Sequence, residues 1–486
     1  MTVHSPPRAT HATPARSAPR LVEDRPLRRP DLSSPEVMTR RAWWLVVLDF
    51  LVPGSAQVLA GSPRFGRLAL AATLTMWALL LLGVLVALLW RPLLVALLTN
   101  WFFLTALQML LLAYAALWLA LTIDTLRLAR LVRVRPRARA GIAALAVVLV
   151  AVPSGAAAYA AQEIIAPLRG GLTVFASGPS VPPSDGYYNF LLLGADSGTG
   201  RDSMRFDSIS VVSVHAETGA VSITGIPRDL RHAPFSAGPL RDLYPDGFQG
   251  HTSSTCGWGS GVNQLMNAVE TCREDHGAGL YPDAAAANSR PAVEATKDAA
   301  EGILGIEIPY YVFIDMHGFA DLVDALGGVD ITVLERLPKG GGPGPNDLPL
   351  EQWATGWIEA GPQHMDGDTA QWYARSRYTT SDWDRMRRQR ELQQAILAQA
   401  TPATVLTRFS EVMDAGTDLV DTDIPDSLLP FLVELAIKAK DQPVQTLELT
   451  PEGANIDPED PTAADWARIR DRVGEMLHPP TVDAEE

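Results

Sequence analysis

Three runs decide the fold: YNFLLLGAD (188–196), RFDSISVVSV (205–214) and VSITGIPRD (221–229). Each is rich in aliphatic and β-branched residues, is bounded by turn-forming residues, and reads as a strand at 188–193, 208–214 and 221–226. Two further strands are predicted at 310–315 and 329–333. Helical spacing predicts helices at 261–271, 291–304, 319–326, 366–373 and 382–400. Strands alternating with helices imply an α/β sandwich, a central mixed sheet flanked by helices. The segments 232–260 and 336–362 are long and rich in Gly and Pro, which points to binding surfaces or lids. Residues 451–486 read as an acidic, peripheral tail. No internal repeat is present.

Working outward from the strands, the chain divides sharply in charge. Residues 1–140 hold 17 Arg, no Lys and six acidic residues, a net +11, while all 486 residues sum to −15. The remainder therefore carries −26. This is the pattern of a membrane anchor joined to an exported domain, and an acidic back half argues against nucleic acid as a partner. Residues 1–41 read as a disordered cytoplasmic tail. Residues 42–162 read as a membrane region, an α-helical anchor with apolar stretches at about 43–61, 67–90, 101–122 and 141–162. The last three are long enough to span a bilayer. The first is broken by Asp49 and by Pro53, Gly54 and Ser55, so a re-entrant hairpin is expected. Arginines flank that hairpin on both sides (Arg40 and Arg41, Arg64 and Arg67), and 127–139 holds six more. Cytoplasmic loops are enriched in such residues, so three spans with the N-terminus inside deliver the C-terminal half outside the membrane. Only Arg91 falls on the wrong side. Residues 163–186 read as a stalk, and 187–450 as the working domain. In an oxidising compartment Cys256 and Cys272 can pair, and closing that loop contributes roughly 3 kcal/mol on the chain-entropy model.

Three clusters carry chemistry. The first is Gly194, Ala195 and Asp196 at one strand end, with Arg205, Phe206, Asp207 and Ser208 opening the next. The second is Ile226, Pro227, Arg228 and Asp229, again at a strand end. The third is Tyr373, Ala374, Arg375, Ser376 and Arg377, followed by Asp382, Arg385, Arg388 and Gln389. Helical spacing puts Asp382, Arg385 and Gln389 on one face, with Arg388 adjacent. Charged residues where strands meet loops mark the ligand side of α/β sheets. Gathered arginines repel one another unless an anion lies among them, and their planar forks suit phosphate. Aspartates among them suit Mg²⁺, which bridges one or two carboxylates to phosphate oxygens. Arg387 and Arg390 read as ordinary surface salt bridges.

These clusters, with Gly261-Val262-Asn263, Tyr311-Val312, the run from Leu322 to Val329, and Asp366-Gly367, resemble the LytR-CpsA-Psr family over about residues 187–400. The resemblance implies an extracytoplasmic, Mg²⁺-dependent ligase (Mn²⁺ being an alternative metal). Such an enzyme moves a glycopolymer from a polyprenyl-pyrophosphate carrier to peptidoglycan as a phosphodiester, with the lipid in an apolar tunnel. It implies Asp196 and Asp207 as metal ligands. It implies Arg205, Arg228, Arg375, Arg377 and Arg385 as a pyrophosphate clamp with catalytic roles, Asp382 and Gln389 supporting it and Arg388 binding substrate beside them. The sequence departs from the family at Gly261, where many members carry Lys, and in its several membrane segments. Two other readings use the same residues: a pyrophosphatase with water as acceptor, and a non-catalytic sensor of polyprenyl phosphates. Periodicity alone does not separate core positions from tunnel positions.

Overall fold

A computed structural model of the chain describes residues 27–28, 30–172, 175–176, 178–195, 205–340, 342, 347–399, 420–440 and 442–479. The chain falls into two compact units, one of residues 1–85 and 110–159, the other of 86–109 and 160–486.

In the first unit a helix at Pro35–Leu51, opened by the Ser34 side chain, turns into a short helix at Ser55–Ala60. Gly54 makes the turn at φ +94°, and a side chain there would meet the Leu70 backbone at 2.7 Å. Polar contacts hold this pair in place: Gln57 Nε2 donates to the Leu121 carbonyl (3.0 Å) and Thr125 Oγ1 (2.9 Å), and Thr73 Oγ1 donates to the Pro53 carbonyl (3.1 Å). The first helix takes in the last seven residues of the predicted tail. Three stretches, Pro63–Leu89, Trp101–Arg133 and Pro136–Gly170, are helices long and apolar enough to cross a membrane. They run past the predicted spans because backbone hydrogen bonding continues through flanking arginines that an apolar count excludes. The predicted stalk accordingly begins as helix, through Ala160–Ile165 and Ala166–Gly171.

The second unit is built on a six-stranded mixed sheet. Its strands are β1 (Tyr187–Ala195), β2 (Phe206–His215), β3 (Val221–Ile226), β4 (Tyr310–Asp315), β9 (Val420–Thr422) and β10 (Gln445–Glu448), in the order β10-β3-β2-β1-β4-β9. β1 pairs antiparallel with β2, and β2 with β3, while β4 lies parallel to β1 and β10 parallel to β3. Two small ribbons pair β5 (Val329–Val333) with β8 (Gly361–Met365) and β6 (Leu337–Lys339) with β7 (Gly356–Ile358). One face of the large sheet is filled by the helix Pro291–Leu304, whose Ala292, Val293, Ala299, Ala300 and Ile303 are buried against Leu191, Val211 and Tyr311.

The helix Ala463–Leu477 joins the same core. It starts at a capping box between Thr462 and Asp465 and buries Ile469, Val473 and Leu477. The segment predicted as a peripheral acidic tail is thus core. Its apolar stripe has helical spacing but is diluted by acidic neighbours, which net composition registers and spacing does not. Residues 480–486 lie outside the described residues. Segment 232–260 is anchored in the same core by Phe235 and Phe248, while most of 249–260 is exposed. The structure joins Cys256 to Cys272, with Cα atoms 5.6 Å apart.

On the other face lie the helices Met316–Leu326, Gly367–Arg375 and Asp382–Gln399. Asp315 caps the first, accepting from the Gly318 amide at 2.7 Å, and Asp366 caps the second. Gly367 is required where these two cross, because a Cβ there would come 2.0 Å from the Ala320 carbonyl oxygen. The predicted helix at 261–271 is instead a 3-10 turn (Val262–Gln264) followed by a π turn (Asn267–Thr271).

Candidate functional site

Strand register assembles the first half of the site. Ile209 pairs with Ile226 across β2 and β3, so the same antiparallel register brings Asp207 opposite Arg228 just beyond the ladder. Arg228 donates to Asp207 Oδ1 at 2.7 Å and to its neighbour Asp229 at 3.2 Å. Asn263, buried, steadies this turn: its amide donates to the Arg228 carbonyl (2.9 Å) and its Nδ2 to Asp229 Oδ1 (3.3 Å). Gly261 lies against the same turn, where a Cβ would stand 3.2 Å from the Asp229 Cα.

The second half comes from the start of the helix Asp382–Gln399. Asp382 lies 3.7 Å from Arg228 and accepts from Arg385, one turn along, at 3.0 Å. Two cations therefore share one carboxylate. Burial works against the charge on Arg228, but the bonded Asp207, with Asp382 and Asp229, outweighs it and raises the pKa above the ordinary arginine value. Arg385, 5% exposed, is instead lowered, chiefly by burial. Both remain cations, since an arginine does not lose its proton in a protein. Among the described residues, Arg385 Nε and Asp382 Oδ1 are buried with no hydrogen-bond partner. Such atoms carry a cost of about 1–3 kcal/mol each unless a ligand satisfies them.

Asp207, Arg228 and Arg385 line a pocket of about 360 Å³ with Arg375, Ser376, Arg377, Tyr378 and Gln389. Arg375 ends its helix with its guanidinium 5.1 Å from the Trp372 ring, and Arg377 is exposed. Trp353, Trp372 and Tyr378 add aromatic walls, with Trp353 and Tyr378 edge to face at 4.8 Å. Sequence reasoning did not name these aromatics. Its signal was the Gly/Pro-rich segment 336–362, whose Pro338, Gly340 and Trp353 border the pocket.

Other predicted site residues fall elsewhere. Arg205 is exposed just before β2 and is not among the pocket's lining residues, and Asp196 lies outside the described residues. Arg388 is 2% exposed and points away from the pocket. It donates to the carbonyls of Tyr373 (3.0 Å) and Ser376 and to Thr380 Oγ1 (3.2 Å). Its predicted role in binding substrate therefore gives way to bracing the loop that presents Arg375 and Arg377. Arg387 makes the expected surface pairs with Asp384 (3.2 Å) and Glu391 (3.3 Å). Arg390 does not: it is buried, paired at 2.7 Å with Glu448 of β10.

Behind the pocket lies a second, apolar cavity of about 390 Å³. Its floor is the cavity-side face of the sheet, including Leu192, Val212, Ile223 and Val312, and its walls include Phe319, Leu322, Leu392, Ile396 and Leu432. Met316 and Gln389 line both spaces. The faces of the strands separate core from cavity: Val211 and Tyr311 belong to the packed core, Val212 and Val312 to the cavity.

The described residues supply only oxygen donors here, Asp207 and Asp382 among them, and none of their His, Cys, Asp or Glu side chains form a group of three that could hold a metal alone. That donor set fits Mg²⁺, which needs one or two carboxylates beside phosphate and water.

Residues 283–470 match the profile of the LytR_cpsA_psr family. Biofilm regulatory protein A of Streptococcus mutans is 25% identical over 292 residues, 58% of this chain and 61% of that protein. The chain thus spans about three fifths of that relative. The polyisoprenyl-teichoic acid–peptidoglycan teichoic acid transferase TagU of Halalkalibacterium halodurans is 26% identical over 272 residues, 55% of this chain and 71% of that one. Among solved structures, Bacillus subtilis TagV superposes with a TM-score of 0.40 at 20% identity, over 60% of this chain and 97% of its own.

Proposed function

Because this chain carries a domain of the LytR-CpsA-Psr family, we propose that it transfers a glycopolymer from a polyprenyl-pyrophosphate carrier to peptidoglycan, forming a phosphodiester and releasing polyprenyl phosphate. One observation carries the reading: an arginine-lined pocket and an apolar cavity share Met316 and Gln389 as a common wall. A molecule with a pyrophosphate head and an isoprenoid tail needs these two environments side by side.

The residues divide the work by position. Arg228 and Arg385, held by Asp207 and Asp382, take the pyrophosphate oxygens, where preorganised charge acts most strongly in a site with little water. Arg375 and Arg377 close on the head group from the loop that Arg388 braces. Trp353, Trp372 and Tyr378 offer flat apolar faces on which sugar rings can rest. A sugar hydroxyl of peptidoglycan attacks the phosphorus nearer the glycan, a P–O bond forms, and the bond to the bridging oxygen breaks. That oxygen leaves with the polyprenyl phosphate, and the hydroxyl proton passes to solvent or to a base. Asp207 and Asp196 would hold Mg²⁺, which when bound neutralises charge on the phosphate oxygens. On this reading the three apolar helices each cross the membrane, with the 127–139 arginines cytoplasmic and the domain outside.

The TagU relatives support a transferase over the sensor reading, and water as acceptor would make the same site a pyrophosphatase. The test uses the full chain in detergent with a polyprenyl-pyrophosphate-linked oligosaccharide, with and without peptidoglycan fragments, in Mg²⁺ or EDTA. Polyprenyl phosphate release coupled to glycan on the acceptor is the expected result. Release without acceptor labelling would make the protein a hydrolase, and no release in Mg²⁺ would remove the enzymatic reading.

A further inference from the structure

The helix Leu429–Ala439 reads LPFLVELAIKA, with eight of its 11 residues apolar. It is amphipathic on its open side, where Glu434 and Lys438 pair at 2.9 Å, and such a helix suits the plane of a membrane interface. Here one side is buried: Leu429 and Leu435 pack inward and Leu432 lines the apolar cavity. The other side is open, leaving Phe431 56%, Val433 39% and Ile437 48% exposed. Val433 and Ile437 lie one turn apart, so they form a single strip.

The neighbour of this helix indicates where that strip lies. Within its own unit it packs against the helix Arg91–Leu98 (RPLLVALL). That short helix is joined at one end to the candidate span ending at Leu89 and at the other to the one beginning at Trp101. A connection of this length between two spanning helices lies where both leave the hydrocarbon, at the bilayer surface. The helix Leu429–Ala439 is therefore held at that surface, with one side on the cavity and the other on whatever lies there. Lys440, exposed at its end, matches the anionic head groups of such a surface, while Lys438 is paired with Glu434 at 2.9 Å.

We propose that this helix lies at the outer leaflet with Val433 and Ile437 among acyl chains and the Glu434–Lys438 pair at head-group level, and that an isoprenoid chain passes beside it from the leaflet into the cavity. The passage rests on the proposed function, whereas the insertion rests only on the proposed crossing of the membrane by the apolar helices. In water these side chains would form an unpartnered apolar patch, which soluble surfaces rarely keep. In the leaflet they give a lipid-linked substrate a route to the cavity that never exposes its tail to water.

Insertion is read by fluorescence, independent of turnover. The native cysteines are paired, so Val433→Cys and Ile437→Cys can each carry an NBD label on the full chain in phosphatidylcholine–phosphatidylglycerol vesicles. The control is Glu475→Cys, exposed on the helix Ala463–Leu477. With lipids doxyl-labelled in the acyl chain, quenching at 433 and 437 is expected to exceed that at 475 at least fivefold. Equal quenching at all three sites overturns the proposal. So does shielding of 437 from aqueous iodide without lipid quenching, which would mean a protein covers the strip. For the passage, the double variant Val433→Asp with Ile437→Asp is expected to lose at least tenfold in turnover of a long isoprenoid substrate in vesicles. A short-chain soluble analogue should be turned over within twofold of the parent rate. Equal loss on both substrates would remove the passage. A parent chain that turns over neither substrate would overturn the functional reading while leaving the quenching result to decide insertion.

Discussion

Val211 and Val212 are neighbours on β2, identical in chemistry, yet they face two different interiors. Val211 is 1% exposed in a core filled by the helices Pro291–Leu304 and Ala463–Leu477. Val212 borders a cavity of about 390 Å³ that the helices of the opposite layer do not fill. Small residues close the first face: Ala292, Ala295, Ala299 and Ala300 let the helix Pro291–Leu304 settle directly on the strands. On the second face Phe319, Leu392 and Ile396 of the covering helices line open space above the sheet. One face of the sheet is thus used for stability, and the other keeps apolar space open beside a charged pocket. Substitutions on the two faces should separate stability from activity.

The largest effect is expected where the open face meets the charges. Arg228→Ala removes the cation that Asp207, Asp229 and Asp382 all address. Turnover of a polyprenyl-pyrophosphate substrate should fall about 10³-fold, at the upper end for losing one charged donor to a developing oxyanion. Binding of a polyprenol without phosphate should be unchanged, because its tail uses only the cavity. A loss of polyprenol binding equal to the loss of turnover would show that the two spaces do not work separately.

The next effect tests the valines directly. Val212→Trp places a large side chain into open space, so KM for a long-chain carrier should rise roughly 10- to 100-fold, about 1.4–2.7 kcal/mol, while Tm stays within about 2 °C. Val211→Ala on the packed face should lower Tm by several degrees, through about 1–2 kcal/mol of lost burial and cavity formation, with KM unchanged. If Val211→Ala altered KM as strongly as Val212→Trp, the division between faces would fail.

Much of this arrangement was legible in the sequence, and the failures have physical causes. The strands were readable because alternating apolar residues stop at turn residues, and the pairing of Asp207 with Arg228 follows once the β2–β3 register is known. Arg388 was misread because sequence shows that a cation is present but not which way a helix turns it, and its guanidinium is bonded to loop carbonyls. Arg390 was misread for the same reason, its partner Glu448 being 58 residues away. Ile469, Val473 and Leu477 were passed over because an acidic background masks a narrow stripe at helical spacing. Trp353 reaches the pocket by long-range packing, which no local pattern encodes.

The smallest effect sharpens the comparison through pH. Asp298 belongs to the helix Pro291–Leu304, on the filled face, where Tyr281 donates to its Oδ2 at 2.6 Å. The backbone of Gly238 closes over it, so that a Cβ there would stand 2.9 Å from Oδ2. Burial raises its pKa to about 6, with Glu301 and Glu294 adding to the rise, while the Tyr281 bond and Lys297 oppose it. The folded pKa thus lies above the value of about 3.9 expected for an unfolded Asp. Between these values the folded chain binds more protons than the unfolded one. The stabilisation is complete below about pH 4 and is lost as pH rises through about 6. After allowance for solvent screening it amounts to roughly 1–2 kcal/mol. Asp298→Asn keeps an acceptor for Tyr281 but cannot titrate. Its Tm, followed by tryptophan fluorescence on the full chain in micelles, should change less between pH 4.5 and 7.5 than that of the parent. At pH 7.5 it should equal or exceed the parent, because the buried charge is gone. Parallel curves for the two proteins would mean that Asp298 is not the group titrating there. Turnover at Arg228 and Arg385 should not follow this titration, since neither guanidinium gains or loses a proton in that range.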